Sequence, residues 1–146
     1  MPEDESKWVL WDTGGMSLQA AFNPAISREE GFHLVLLQKG NVPSPWDNPK
    51  FYSLMSLVAA EAVKVLAEHS KADWFNFHCD GNIGAAEGNP KMHIHIFGRY
   101  RTGPLWGGPL QLPSGEGPYG YEPLTDEEIK DFRSLLAGRL DSLWPI

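Results

Sequence analysis

The sequence is poor in several things, and each scarcity narrows the reading. It holds one cysteine, Cys79, in 146 residues. No internal disulfide can form, so a reducing compartment is expected, with the cytoplasm as the natural setting. Basic residues are outnumbered: 12 Lys and Arg stand against 19 Asp and Glu, a formal charge of -7. A broad nucleic-acid interface needs a basic footprint, so extended nucleic-acid binding is not expected. A small phosphorylated ligand held by a few local donors remains open. No apolar run reaches the roughly 18 residues of a membrane span. The opening "MPEDESKW" is too acidic and polar for a secretory signal. There is no internal repeat.

What is present suits one packed domain over residues 1–146. The chain is 42% hydrophobic and 12% aromatic, richer in both than disordered chains are. Residues 1–7 read as a tail. "WVLW" (8–11) and "SLQAAF" (17–22) read as short strands around the turn "DTGG". "FHLVLLQ" (32–38) is an apolar run of strand length. "KGNVPSPWDNP" carries three prolines and breaks regular structure. Then Asn48 caps a helix over 49–69 with Pro49 at its first position. Its apolar residues Phe51, Leu54, Met55, Val58, Ala62, Val65 and Leu66 recur at helical steps. "WFNFHC" (74–79) reads as a strand, "DGNIGAAEGNP" (80–90) as a glycine-rich loop, and "KMHIHIFGRY" (91–100) as a strand. Residues 101–123 are dense in Gly and Pro but also hold Trp106, Tyr119 and Tyr121. A plain linker is seldom aromatic, so an ordered segment bordering a pocket is expected. Thr125 and Glu128 form a capping box for a last helix over 125–143. The order of elements predicts an α+β domain with a mostly antiparallel sheet, a long central helix and a C-terminal helix.

The chemistry concentrates in residues 91–97. Side chains two apart on a strand share a face. Lys91, His93, His95 and Phe97 therefore face one way; Met92, Ile94 and Ile96 face the other, toward the 49–69 helix. Two imidazoles about 7 Å apart along a rigid strand permit two chemistries. One ring can attack phosphorus while the other protonates a leaving oxygen, since histidine titrates near neutrality. Alternatively, both can bind a metal, with a third ligand such as His78. A half-buried polar surface is the plain structural reading of a short His-x-His.

The wider context resembles the histidine triad (HIT) superfamily. That family has a His-x-His-x-His strand followed by two apolar residues, Pro or Gly, and often Arg, and "HIFGR" (95–99) is similar. "FNPAI" (22–26) resembles the family's "INP" segment, and "HLVLLQK" (33–39) its "HLLVIPK" strand. The likeness covers residues 8 to 100. It implies that His93 is the middle histidine, a nucleophile that takes the nucleotide as a covalent nucleotidyl-histidine. It implies that His95 supports the leaving group and that Lys91, at the first triad position, contacts phosphate. Asn76, Asn23 and Arg99 are the ligand-binding residues it suggests, and Trp106, outside the likeness, is a further ligand-binding candidate as an aromatic in a Gly/Pro-rich segment. It further implies a nucleotide or other phosphorylated small molecule as ligand, a homodimer, and no obligatory metal or other cofactor. The expected activity is a hydrolase or nucleotidyl transferase, on phosphoramidates or dinucleoside polyphosphates.

The sequence also departs from that family. Lysine replaces the first histidine. "AEGNP" stands where Gln-Ser/Thr is usual, leaving Glu87 and Asn89 without a family counterpart. Ala21 falls near the ribose-binding acid, and Asn41 near a frequent histidine. These departures favour a rival reading, a binding module for a phosphorylated ligand. A metal-dependent hydrolase through His93, His95 and His78 is a third. His33 is expected as a strand-start residue bonded to backbone, His69 as a helix-end residue and Cys79 as an inert thiol. Trp46, Trp106, Tyr119 and Tyr121 are candidates to wall a base or an acyl group.

Overall fold

A computed structural model describes residues 5–115 and 117–143. Residues 1–4 of the expected tail lie outside the described residues, and the tail's end is a 3-10 turn, Glu5–Trp8. Five strands follow in chain order with the helices between them: β1 (Val9–Asp12), β2 (Met16–Ala20), β3 (Gly31–Gln38), β4 (Trp74–His78) and β5 (His93–Arg99). They form one sheet in the order β1-β2-β3-β5-β4, every pair antiparallel. β3 and β5 lie side by side at its centre although 62 residues separate His33 from His95 in the chain.

Helix α1 (Pro49–His69) begins and ends where its sequence signals stand. The Asn48 side chain accepts the Phe51 N–H at 3.1 Å, and Pro49 opens the first turn. Ser70 N–H closes it on Leu66 O at 2.7 Å. The buried side carries Met55, Val58, Ala59, Ala62, Val65 and Leu66. It packs on the sheet face formed by Leu34, Leu36, Ile94 and Ile96, all buried in one core. Ile94 and Ile96 are therefore covered by α1, as their alternation with the histidines predicts. Burying each is worth about 1.5–3 kcal/mol.

Gly98, the glycine of "HIFGR", has a packing reason. A Cβ there would lie 2.4 Å from the Phe32 ring, which fills the space above it. That ring meets Phe132 edge-on at 5.2 Å between centroids. It thereby joins the sheet to α3 (Asp126–Leu136), whose capping box of Thr125 and Glu128 is formed.

Some boundaries differ from the sequence reading. The final strand starts at His93, not Lys91, so Lys91 precedes the ladder. The glycine-rich stretch holds a short helix, α2 (Asn82–Ala86), begun by Gly81 at φ 147. The last helix stops at Leu136; Gly138 takes φ 76, and a 3-10 turn follows at Asp141–Leu143. Among the described residues no helix is long and apolar enough to cross a membrane.

Candidate functional site

The sheet face away from α1 carries the histidines. Register places Val35 opposite His95, His33 opposite Phe97, and His78 opposite His95 on the other side. Opposite residues share a face. His33, His78, His93 and His95 therefore stand together, with Phe97 between two of them. The His33 ring stacks on Phe97, centroids 4.3 Å apart. The triad-strand rings are closer than backbone spacing alone suggests. The His93 and His95 rings turn toward each other, and their Nε2 atoms are 3.0 Å apart.

These contacts form one continuous chain, and its tautomers follow from its ends. Ala25 N–H donates to His33 Nδ1 at 3.1 Å. In neutral His33 the proton is then on Nε2, which lies 2.8 Å from His95 Nδ1. His95 accepts there, so its own proton is on Nε2 and points at His93 Nε2. His93 accepts in turn, and its proton is on Nδ1, where the Lys91 carbonyl receives it at 2.8 Å. Every donor meets an acceptor. His93 lines the cavity, the single lone pair of its Nε2 accepts the His95 N–H in the free site, and a carbonyl behind the ring fixes its orientation.

Electrostatics agree with neutral rings. Burial, then the neighbouring His95 and His93, push the His33 pKa down from 6.5 to about 3. Burial and His93 push His95 down to about 4, with Asp80 opposing and His78 adding to the shift.

His33, His93 and His95 floor a cavity of about 510 Å³, within the usual range for small-ligand sites. Asn23 and Ala25 border it on one side, and Asp80 with the first turn of α2 on another. Leu112, Pro113 and Tyr119 form a wall from the 101–123 segment.

The sequence-chosen residues divide. His93, His95 and Asn23 line the cavity. Lys91 is exposed and not among the lining residues; its carbonyl, rather than its ammonium, touches the site. Arg99 and Asn76 are joined to each other, Arg99 Nη1 donating to Asn76 Oδ1 at 2.9 Å. Buried Arg99 also donates to Leu105 O at 2.9 Å and sits 3.7 Å from the buried Glu30 carboxylate. Glu30 in turn accepts Leu105 N–H at 2.6 Å. These groups pin the start of the 101–123 segment rather than face the cavity. Trp106 stands over Arg101, 5.1 Å from its guanidinium, and does not line the cavity. Trp46 is 81% exposed. Of the aromatic candidates, Tyr119 alone reaches the cavity wall. The 101–123 segment does border the site, through other residues than Trp106.

His33 is the functional residue that sequence reasoning undervalued. It is bonded to backbone, as expected, but only through Nδ1; Nε2 serves His95. Its place in "HLVLLQ" puts it in phase with Val35 and Leu37, but the link to His95 required knowing that β3 pairs with β5. Cys79 is half-buried in a separate pocket with Tyr52 and Phe77, and burial raises its pKa. His78 Nδ1 lies 3.9 Å from Asp80, beyond hydrogen-bond reach. Among the described residues no three His, Cys, Asp or Glu side chains are arranged to hold a metal. The central nitrogens are spent on one another.

No family model matches the chain, and no curated protein matches it. Solved structures do. A histidine triad protein from Marinobacter aquaeolei VT8 has a TM-score of 0.62 at 19% identity, over 92% of this chain and 89% of that one. A zinc-bound histidine triad family protein from Mycobacterium smegmatis gives 0.63 at 19%, over 92% and 86%. A hypothetical histidine triad nucleotide-binding protein from Sulfolobus tokodaii strain 7 gives 0.60 at 11%, over 93% and 85%. At such identities the likeness is one of fold.

Proposed function

We propose, from the premise that this chain has the histidine triad fold, that it acts on a nucleotide-type phosphate through His93. It works as a hydrolase or nucleotidyl transferase with a covalent histidine intermediate. The observation that carries this reading is the closed hydrogen-bond chain from Ala25 through His33 and His95 to His93, ending at the unprotonated His93 Nε2, whose lone pair is free to meet phosphorus once a ligand takes the His95 N–H. In the first step that Nε2 bonds to phosphorus while the bond from phosphorus to the leaving group breaks. The leaving group takes its proton from His95 Nε2. In the second step water attacks phosphorus, the P–N bond breaks, and His95 Nε2 receives the water's proton.

A neutral imidazole is a poor acid, and burial keeps His95 neutral in the free site. A phosphate entering between the two rings meets the Nε2–H of neutral His95, and that proton is the one given to the leaving group, because His33 Nε2–H occupies the acceptor at His95 Nδ1. His33, fixed by Ala25, keeps the His95 ring in position throughout.

Capture of the intermediate tests the reading. Quenched protein incubated with an adenosine phosphoramidate should carry adenylate on residue 93, stable to base and labile to acid. An adduct on another residue would overturn the assignment.

A second reading, a ligand-binding module, is favoured by one observation: Lys91 and Arg99 both lie outside the cavity lining, so among the described residues phosphate finds no fixed cation there. Protein that binds nucleoside monophosphate but turns over no phosphoramidate, dinucleoside polyphosphate or nucleotide ester supports it.

The partners follow from the same reading: a nucleotide or other phosphorylated small molecule, and a second copy of the chain. Support for the homodimer lies in β4, an outer strand whose Trp74 is 66% and Phe77 47% exposed. An uncovered edge strand with aromatic side chains offers itself for pairing. Light scattering should give twice the chain mass, and Trp74→Lys with Phe77→Lys should give the single mass. A wild-type protein that stays monomeric at high concentration refutes the dimer. The one thiol, Cys79, supports a cytoplasmic setting.

A further inference from the structure

The cavity is unusual in its charge. Among the described residues that line it, Asp80 alone carries a fixed charge, and that charge is negative. No lysine or arginine lines it to offset a phosphate. Asp80 stands just past the end of β4, two residues beyond His78, which is the register partner of His95. The carboxylate is therefore on the side of the leaving-group donor. Its field favours a proton on His95 against burial and the other imidazoles. It is half-exposed and 3.9 Å from His78 Nδ1, so no hydrogen bond to that ring holds it and both oxygens can face a ligand.

A carboxylate beside a phosphate site repels the anion unless the substrate supplies a compensating charge. A polyphosphate would bring several further negative charges against Asp80, with no cation in the lining to receive them. A phosphate carrying one negative charge, joined to a leaving group with an ammonium, fits both ends. We infer that Asp80 is a specificity-determining residue that selects substrates whose leaving group is positively charged, such as an amino alcohol or an amino-acid-derived amine. The inference rests on the proposed reaction at His93 and names its substrate class.

The test uses three diesters of adenosine 5'-phosphate with 2-aminoethanol, ethylene glycol or glycolate as leaving group. They present a cation, no charge and an anion at one place. Wild type and Asp80→Asn are compared by kcat/KM on each. Intrinsic leaving-group reactivity cancels in the ratio of the two proteins. A unit charge about 6 Å from a partly exposed carboxylate changes binding by about tenfold. Asp80→Asn should therefore lower kcat/KM about tenfold on the aminoethyl ester. It should leave the hydroxyethyl ester near unity and raise the glycolate ester by about tenfold. Glu61→Gln, a carboxylate change on α1 away from the cavity, should leave that order intact. An equal change on all three esters overturns the inference, because Asp80 would then act only on the His95 proton. So does an order that appears only with added magnesium, which would make Asp80 a cation ligand.

Dissociation constants of the same esters, measured on His93→Ala with and without Asp80→Asn, separate the two claims. The charge order in binding, without turnover by wild type, leaves the selection standing and removes the catalytic reading. Turnover through His93 without the charge order does the reverse. Neither binding nor turnover of any ester overturns both.

Discussion

Replacing His93 by alanine should lower turnover of a nucleoside phosphoramidate by about 1,000-fold or more, and His95→Ala by about 100-fold or more. The difference follows from the hydrogen-bond chain. His93 is the one histidine of the three whose Nε2 carries a lone pair rather than a proton, so in the proposed reaction its loss removes the bond-forming atom. No neighbour can replace it. Both His33 nitrogens are engaged, and His95 Nε2 holds the proton. The Tyr119 hydroxyl donates to Gly115 O. Cys79 belongs to another pocket. His95→Ala leaves the nucleophile but removes the donor, and water can partly substitute for a donor. The measurement is steady-state turnover on both variants, with binding of nucleoside monophosphate as the check that the cavity persists. Unchanged activity in His93→Ala sinks the mechanism.

How much of this was legible in the sequence varies by element. The α1 limits were, because Asn48, Pro49 and a repeating apolar face are local signals. The two-sidedness of β5 was also legible, since Ile94 and Ile96 alternate with the histidines. Lys91 was not: its identity suggested a phosphate contact, but chain position alone cannot show that the strand begins two residues later. Helix α2 escaped because five residues rich in glycine and alanine carry no periodicity. Asn76 and Arg99 were suggested as ligand contacts by the family resemblance. The structure joins them across two strands and closes them over Glu30. The roles of His33 and Tyr119 depend on distant pairing, β3 against β5 and the 101–123 segment back over the sheet. Neither is encoded in a local pattern.

The protein should lose about 3–4 kcal/mol of stability between pH 7 and pH 5 from two histidines alone. His33 and His95 have pKa values pushed from 6.5 to about 3 and about 4. In the unfolded chain both recover the ordinary value. Below pH 6.5 the unfolded state therefore binds two protons that the folded state refuses. Each pH unit then favours unfolding by about 1.4 kcal/mol per histidine. The contribution is absent above about pH 7, grows through pH 5, and levels only near pH 3 to 4, where the folded rings protonate. The pH 5–7 window stays above the acid range in which Glu128, held down to about 2 chiefly by its hydrogen bonds to Arg28, loses its own contribution. Urea titrations at pH 7, 6 and 5 measure the slope. His33→Asn, whose side-chain oxygen can still accept Ala25 N–H, should roughly halve it. A midpoint that does not move over this range shows that the rings are not held neutral by burial.

The bond pattern around Glu30 and Arg99 has an evolutionary consequence. The side chains proposed to perform the chemistry sit on β3 and β5, whose register is locked by the core. In the proposed reaction, one wall that would meet the rest of the substrate, Leu112, Pro113 and Tyr119, sits on a stretch anchored at Leu105, while Asp80 stands apart from it after β4. A lineage could lengthen, shorten or rewrite residues 107–121 and acquire a new substrate preference while the reactive floor stayed intact. On that reading, reaction type and part of the substrate choice are inherited on separable pieces of chain.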